Sequence, residues 1–319
     1  MKTKNTLMTA AAMLATAGLY AAQLDIDTVR VGNAGNAADT SANGGTQGAG
    51  AVSYEYNIGT TAVTSGQYAA FLNAVATDAT GAAPAYIASL YNTNMATATY
   101  ACGIIRTDNL DGTYSYTVKA GSENLPVNYV NMYDAMRFCN WVTTGNTEFG
   151  VYTLNGAANA IALVVRNDAA WQAGGVAIAS LDEWYKATFY NGTTETYSKF
   201  ANGKDTITTA EANFDRSVGN LTDVFAYGTT SFYGALDMIG NVWERTDTVT
   251  GSSTYRRGGD FASPESNVAS SYNYTATVTN EDFTIGFRVS SLNPIPEPST
   301  YAAIFGALAL AIVAYRRRK

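Results

Sequence analysis

The residue most telling for chemistry is one the chain lacks. Its 319 residues include no histidine, which excludes Ser-His-Asp and Cys-His catalysis and any His-ligated zinc or non-haem iron site. The thiol inventory is two cysteines, Cys102 and Cys139. Both sit in apolar runs, Tyr100-Ala101-Cys102-Gly103-Ile104-Ile105 and Arg137-Phe138-Cys139-Asn140-Trp141. Two separate buried thiols are therefore the expectation, with a disulfide between them the alternative in an oxidising compartment. Carboxylates remain. Asp260 and Glu265 form a pair of the kind that can do acid–base work, although two acids in a loop are ordinarily solvated.

The charge balance narrows the partners. The formal charge is −7, from 19 basic and 26 acidic residues. Six of the basic residues stand at the two ends, Lys2, Lys4, Arg316, Arg317, Arg318 and Lys319, while only Glu297 leaves with them. The interior of the chain keeps 13 basic against 25 acidic residues, a net of −12. That argues against nucleic acid or anionic polymers as partners and leaves carboxylates to spare for cations. Hydrophobic residues make up 47% and charged ones 14%, with 29 glycines, so the chain has material for a core but reads as loop-rich with neutral polar surfaces. The 22 tyrosines against 12 phenylalanines fit half-buried rings whose hydroxyls reach a partner.

The elements that must position these groups are sparse. Residues 23–50 are rich in Gly, Ala, Asn, Asp and Thr and read as an irregular lead-in. Residues 52–58 alternate as a strand should. Thr64-Ser65-Gly66-Gln67 opens a helix over 68–76, with Tyr68, Phe71, Leu72 and Val75 on its apolar positions. Residues 80–125 are turn-rich apart from an alternating stretch at 113–118. Met132, Ala135, Met136, Cys139 and Val142 give a second helix one apolar face. A third helix covers 181–189, with Asp182 and Glu183 in the first turn, where the dipole favours negative charge. No repeat and no interior linker divides 23–291, so it is read as a single domain.

Both ends look like addresses. Residues 1–22 have Lys2 and Lys4, an apolar run from Leu7 to Leu19, and small residues at the exit Tyr20-Ala21-Ala22, with Ala15-Thr16-Ala17 as a competing exit. This is the pattern of a secretory signal peptide, the alternative being a buried N-terminal helix. At the other end, Pro294-Ile295-Pro296-Glu297-Pro298-Ser299 precedes an apolar run at 301–315 and then Arg316, Arg317, Arg318 and Lys319. Fifteen apolar residues are short of the roughly 20 that span a bilayer, and the terminal cations would be held on the cytoplasmic side. The arrangement resembles the PEP-CTERM sorting signal of Gram-negative, biofilm-forming bacteria. The resemblance implies export through a secretion translocon, an inner-membrane-anchored intermediate held by the helix at 301–315, and processing near Pro296-Glu297-Pro298 by an exosortase-type membrane cysteine protease. The destination would be the outer surface or extracellular matrix. A plain C-terminal anchor is the alternative.

Six landmarks follow one another through the interior. They are Val63-Thr64-Ser65-Gly66-Gln67-Tyr68, then Pro126-Val127-Asn128-Tyr129-Val130, Leu181-Asp182-Glu183-Trp184-Tyr185-Lys186-Ala187, the segment from Tyr233 to Glu244, Arg256-Arg257-Gly258-Gly259-Asp260-Phe261, and Ile285-Gly286-Phe287-Arg288-Val289. In physical terms Gly240 permits a turn that a side chain would obstruct, Gly258-Gly259 lets two backbones approach, and Arg288 offers a donor fork to carbonyls or a carboxylate. In this order the landmarks resemble the formylglycine-generating enzyme, or sulfatase-modifying factor, family over about residues 52–290. The resemblance implies a single α+β domain of the C-type-lectin-like variety, loop-rich, followed here by the C-terminal hydrophobic anchor.

The resemblance also implies metal sites. Carried over by position, Asp237 and Glu244 would give side-chain oxygens to calcium and Gly240 and Val242 backbone carbonyls, an alternation that suits a hard cation. Asp237 stands where the family often has Asn. Alternatively, Glu244 accepts hydrogen bonds from loop amides. A second family calcium site would use Asn213-Phe214 and Asp223-Val224-Phe225, on a spacing shorter than in the enzymes. The family's copper oxidase needs two cysteines after the double glycine, and those positions hold Ser263 and Val268, neither of which binds Cu(I). Copper and formylglycine-generating activity are not expected. The related sulfoxide synthases need histidine-ligated iron and are excluded with it.

Three readings stay open. In the first, the domain is a non-catalytic, calcium-stabilised module that binds a glycan or a surface protein around Asp260, Ser263 and Glu265. In the second, it is an enzyme of another reaction using Asp260 and Glu265. In the third, it is a purely structural component of a matrix.

Overall fold

The structure is a computed structural model that describes residues 24–40, 46 and 48–295. The signal-peptide reading of 1–22 and the sorting residues Pro296, Glu297, Pro298 and Arg316–Arg318 lie outside the described residues, as does the apolar run at 301–315. Among the described residues no helix is long and apolar enough to cross a membrane.

Three helices organise the interior, and each starts on a reciprocal cap. Gln67 N donates to Thr64 Oγ1 at 3.2 Å while Thr64 N donates to Gln67 Oε1 at 2.9 Å, opening the helix Ser65–Val75. Asn131 and Asp134 do the same for Met132–Thr144, which stops on Gly145 at φ +76°. Ser180 and Glu183 do so for Leu181–Phe189. Each such cap is worth about 1 kcal/mol. The first helix begins three residues before the expected 68 because the box closes on Thr64.

The first two helices bury their apolar faces in one aromatic core. The Phe71 ring lies 5.5 Å from Phe138 and 5.4 Å from Trp141, and Phe138 lies 5.4 Å from Phe287. A second core gathers around Trp184, Tyr185, Phe189 and Tyr197. Edge-on and tilted pairs of this kind add about 0.5–1.5 kcal/mol each beyond their area.

Two four-stranded sheets connect the cores. One has the order β1-β2-β12-β5, from Thr28–Val31, Tyr56–Gly59, Val289–Ser291 and Val176–Ile178. The other has the order β10-β9-β8-β11, from Tyr274–Thr277, Ser253–Arg257, Trp243–Thr250 and Ile285–Phe287. Strand β11 runs parallel to β8 with Gly286 opposite Glu244, and the chain then crosses to the first sheet as β12. Arg288 is the single residue between them. Two small hairpins complete the set, β3 (Ile104–Asp108) with β4 (Tyr114–Val118), and β6 (Tyr190–Asn191) with β7 (Thr196–Tyr197).

The mixture of helices and sheets with much irregular chain matches the expected class, but two details differ. Strand β1 lies in the stretch read as an irregular lead-in. It is an edge strand paired only with β2, so its composition carries little burial signal beyond Val31. The strand expected over 52–58 is confined to Tyr56–Gly59, because the chain bends at 53–54 and Tyr54 turns its hydroxyl to Glu183 Oε1 at 2.7 Å.

Candidate functional site

The motif-bearing loops converge at Gly240. Its φ is +77° and an added Cβ would collide with the Asn213 carbonyl oxygen. The same holds at Gly258, φ +94°, where a Cβ would stand 2.7 Å from Met238 O. Backbone bonds tie the three segments: Gly240 N to Gly258 O and Asn241 N to Asn213 O, both at 2.8 Å. Glycine is required here by close approach as well as by φ.

Glu244, expected to face either calcium or loop amides, faces a guanidinium. Arg288 Nε donates to Oε2 at 2.9 Å and Nη2 to Oε1 at 2.8 Å, and Trp184 Nε1 donates to Oε2 at 2.7 Å. Both charged side chains are essentially inaccessible, at 0% and 1%. Arg288 also donates to Gly59 O at 2.7 Å and Leu236 O at 2.8 Å, so it pins both sheets and the turn together. A carboxylate has about four acceptor positions, and Glu244 keeps about one, on Oε1.

Asp237 is in a different condition. It sits at φ +51°, and its Oδ2 is buried with no hydrogen-bond partner among the described residues. Burial pushes its carboxyl up to about 7, with Glu244 adding to the shift and Arg288 opposing it. Asn213 likewise leaves its Oδ1 buried and unpartnered, while its Nδ2 donates to Asn220 O at 2.9 Å and Asn241 Oδ1 at 3.2 Å. Phe214 is core, but Asp223 and Phe225 lie on an exposed turn, with Phe225 51% exposed. Of the two expected calcium sets, the structure thus offers Asp237 and Asn213 as open oxygens. Glu244 is largely spent, and Asp223 is on the surface. Among the described residues no three acidic or thiol side chains gather as a metal cluster.

The stretch after the double glycine is sealed. Ser263 Oγ donates to Asp260 Oδ1 at 2.8 Å, Ala262 N donates to the same oxygen at 2.9 Å, and Asp260 N donates to Ser263 Oγ at 3.0 Å. Asp260 is 7% and Ser263 6% exposed, and Val268 is fully buried in the second core. Glu265 points the other way, half-exposed, with Lys199 Nζ 3.7 Å away. The three residues expected to line one cleft therefore do not share one. Neither Ser263 nor Val268 carries a soft ligand, so the residues present do not fit copper. Cys102 and Cys139 are free and buried. Burial raises both thiols, so neither presents a thiolate.

A second buried ionic centre gave no signal in the sequence. Arg166 donates through Nη1 and Nη2 to Glu183 at 2.8 and 2.7 Å, and through Nε to Asp247 Oδ2 at 2.6 Å, with its guanidinium over the Trp171 ring. Tyr54, Ser290 and Ser180 N fill the other positions of Glu183. Burial is the largest single influence on the Glu183 carboxyl and raises it, but Arg166 together with the hydrogen bonds from Ser180 N and Tyr54 outweighs burial and holds it below its ordinary value. Glu183 was placed by the helix dipole, but its partner stands in a loop with no local pattern.

Open space lies elsewhere. A groove of ≈ 580 Å³ runs between the β6–β7 hairpin with its following loop and the segment 230–232. Its lining is mostly hydroxyl and amide, from residues such as Asn191, Thr194, Thr196 and Asn202, with Phe232 47% exposed at one side. No sequence motif marks either wall of this groove.

The family model described as the sulfatase-modifying factor enzyme 1-like domain matches residues 24–291. Among solved structures, Treponema denticola variable protein 1 is similar at 19% identity, TM-score 0.55, covering 85% of this chain and 96% of its own. CarF is similar at 22% identity, TM-score 0.53, covering 84% and 99%. At these identities the likeness shows the fold. No curated protein sequence matches the chain.

Proposed function

This chain belongs to the sulfatase-modifying factor enzyme 1-like domain family, and from that premise we propose that it is an exported surface or matrix protein whose lectin-like domain binds a ligand without catalysing a reaction. The observation that carries the reading is the pair Ser263 and Val268. One is committed to Asp260 within a closed turn and the other is packed in the core, so the oxidase's soft-metal chemistry has no ligands. An alternative enzyme built on Asp260 and Glu265 finds little support, since one is buried in its own turn and the other faces Lys199 in solvent. A purely structural role in a matrix finds no specific support either, and the open groove favours binding.

Export rests on the two terminal patterns. The partners they imply are the secretion translocon, an exosortase-type protease acting at Pro296-Glu297-Pro298, and the membrane, reached through 301–315 with Arg316–Arg318 held inside. Truncation before Pro296 is expected to release the protein from the cell envelope, and unchanged fractionation would remove the sorting role. We keep calcium as a proposed stabilising ion, supported by the unpaired Asp237 Oδ2 and Asn213 Oδ1. Arg288 counts against it, because its charge stands where the cation's would. An unchanged melting temperature on adding a chelator would remove calcium.

The decisive test is chemical. Purified full-length protein, loaded with Cu(I) and given a sulfatase-type cysteine peptide, is expected to form no aldehyde. Aldehyde formation, or tight Cu(I) binding, would overturn the non-catalytic reading.

A further inference from the structure

The groove between the β6–β7 hairpin and the segment 230–232 has the chemistry of a receptor. Its base is rigid: Tyr185 and Phe189 rings lie 4.9 Å apart, Tyr185 and Tyr197 5.5 Å, Tyr190 and Tyr197 5.0 Å. The hairpin is also tied from outside by Asn33 Nδ2 donating to Gly192 O at 3.1 Å. A rim held this way spends little ordering entropy on binding.

What the groove offers is polar yet nearly without net charge. Thr194 and Thr196 bring their hydroxyls together at 2.7 Å. The Asn191 side-chain oxygen accepts from Thr193 N and Thr194 N, while no hydrogen bond from its amide nitrogen occurs among the described residues. The only charges in the lining are one of each sign, Lys204 and Asp205, and Lys204 is already 3.3 Å from Glu211. On a domain whose net charge is strongly negative, this neutrality selects against anions and offers cations no counter-charge beyond Asp205.

Two further features indicate a bound partner. Ser231 is 4% exposed and lines the groove, yet its Oγ has no hydrogen-bond partner among the described residues. A buried hydroxyl left unpaired is destabilising, and a turn of the side chain toward the groove would let a ligand hydroxyl remove that cost. Beside it, Phe232 is 47% exposed, with its ring edge-on to Tyr233 at 5.0 Å. An exposed, braced aromatic ring among hydroxyls and amides suits a ligand with one apolar face and many hydroxyls.

We infer that this groove is the ligand site of the module and that its ligand is a neutral saccharide, stacked on Phe232 and hydrogen-bonded by the hairpin hydroxyls, Asn191 and Ser231. The inference rests on the binding-module reading and gives it a location and a ligand class.

The test is affinity electrophoresis of the full-length protein in gels containing dextran, mannan, xylan or galactan, with alginate as the anionic counterpart. Retardation by at least one neutral polymer and not by alginate is expected. Phe232→Ala is expected to weaken it about tenfold or more, as loss of a central aromatic contact does, with melting temperature unchanged. Thr194→Tyr, an exposed change on the hairpin that fills the groove, is expected to weaken it comparably and covers the case in which the first variant folds poorly. Retardation that survives both variants overturns the location. Retardation by alginate alone, or by none of the polymers, overturns the ligand class. Neither result disturbs the non-catalytic reading, which falls only to aldehyde formation or tight Cu(I) binding in the copper assay.

Discussion

Two regions of this molecule treat their polar atoms in opposite ways. In the turn Gly258–Val268, where the sequence resemblance would put two copper-binding cysteines, the hydroxyl of Ser263 and the carboxylate of Asp260 satisfy each other and Val268 fills the core. In the groove beside the β6–β7 hairpin, Ser231 keeps a buried hydroxyl with no partner among the described residues, and Phe232 keeps half its ring in solvent. Folding tends to pair every polar group it buries. A paired turn has finished its work in the folded state, whereas an unpaired hydroxyl at the edge of open space is an interaction still to be made. The difference teaches that the turn after the double glycine is closed scaffold, whereas open polar groups lie beside the hairpin.

The largest expected effect checks the scaffold half of that contrast. Glu244→Gln leaves Arg288 buried between the two sheets without its counter-charge, and breaking a buried pair from one side costs about 3–5 kcal/mol. A large fall in melting temperature, read by circular dichroism, is expected, with Cu(I) and saccharide affinity unchanged in the fraction that remains folded. A small fall would show that Asp237 supplies the missing charge.

Next in size is a control for what an unpaired buried oxygen means where there is no groove. Asp134 is fully buried and its Oδ1 has no partner among the described residues. Burial pushes its carboxyl up to about 8, with Glu281 adding and the Asn131 amide, Arg137 and Arg245 opposing. The folded state therefore holds a proton that the unfolded chain releases near 4. This contribution is most favourable below that value and is lost as pH rises to about 8, at no more than about 1.4 kcal/mol per pH unit. Asp134→Asn keeps an oxygen for the Asn131 amide and removes the titration. Its melting temperature should match the parent near pH 4 and exceed it increasingly toward pH 8. Parallel curves for the two proteins would mean that Asp134 is ionised in the fold.

These cases mark what the sequence made legible. The helix 181–189 was read to its ends, and the helix starting at Met132 to within two residues, because apolar spacing and cap residues are local. The double glycine reads as close approach from sequence alone, and the structure supplies the neighbours, Met238 O at Gly258 and Val268 and Ser263 at Gly259. Arg288 was recognised as a donor fork, but its partner could not be chosen, since Glu244 is 44 residues away and is joined to it only by the parallel pairing of β8 and β11. Arg166 and Asp247 gave nothing, because a lone arginine in a loop acquires its meaning from tertiary contact. The groove failed for a related reason: hydroxyls and amides on a turn-rich segment look the same in sequence whether they face solvent or one another.

The smallest effect is the sharpest discriminator, because it compares one deletion in two settings. Ser263→Ala removes a hydroxyl that both donates to Asp260 and accepts from its amide, so it is expected to cost about 1–3 kcal/mol through the unpaired groups left behind. Ser231→Ala removes a hydroxyl without a partner among the described residues, so the folded state loses no hydrogen bond seen there and sheds a desolvated polar atom. Its melting temperature is expected to stay level or rise slightly. Saccharide retardation should nonetheless weaken by several-fold, by the loss of about one neutral hydrogen bond, about 0.5–1.5 kcal/mol. A hydroxyl whose removal costs binding but not stability has its partner in the ligand. If Ser231→Ala instead destabilises the fold and leaves retardation intact, the hydroxyl has a partner inside the protein and the two regions are alike.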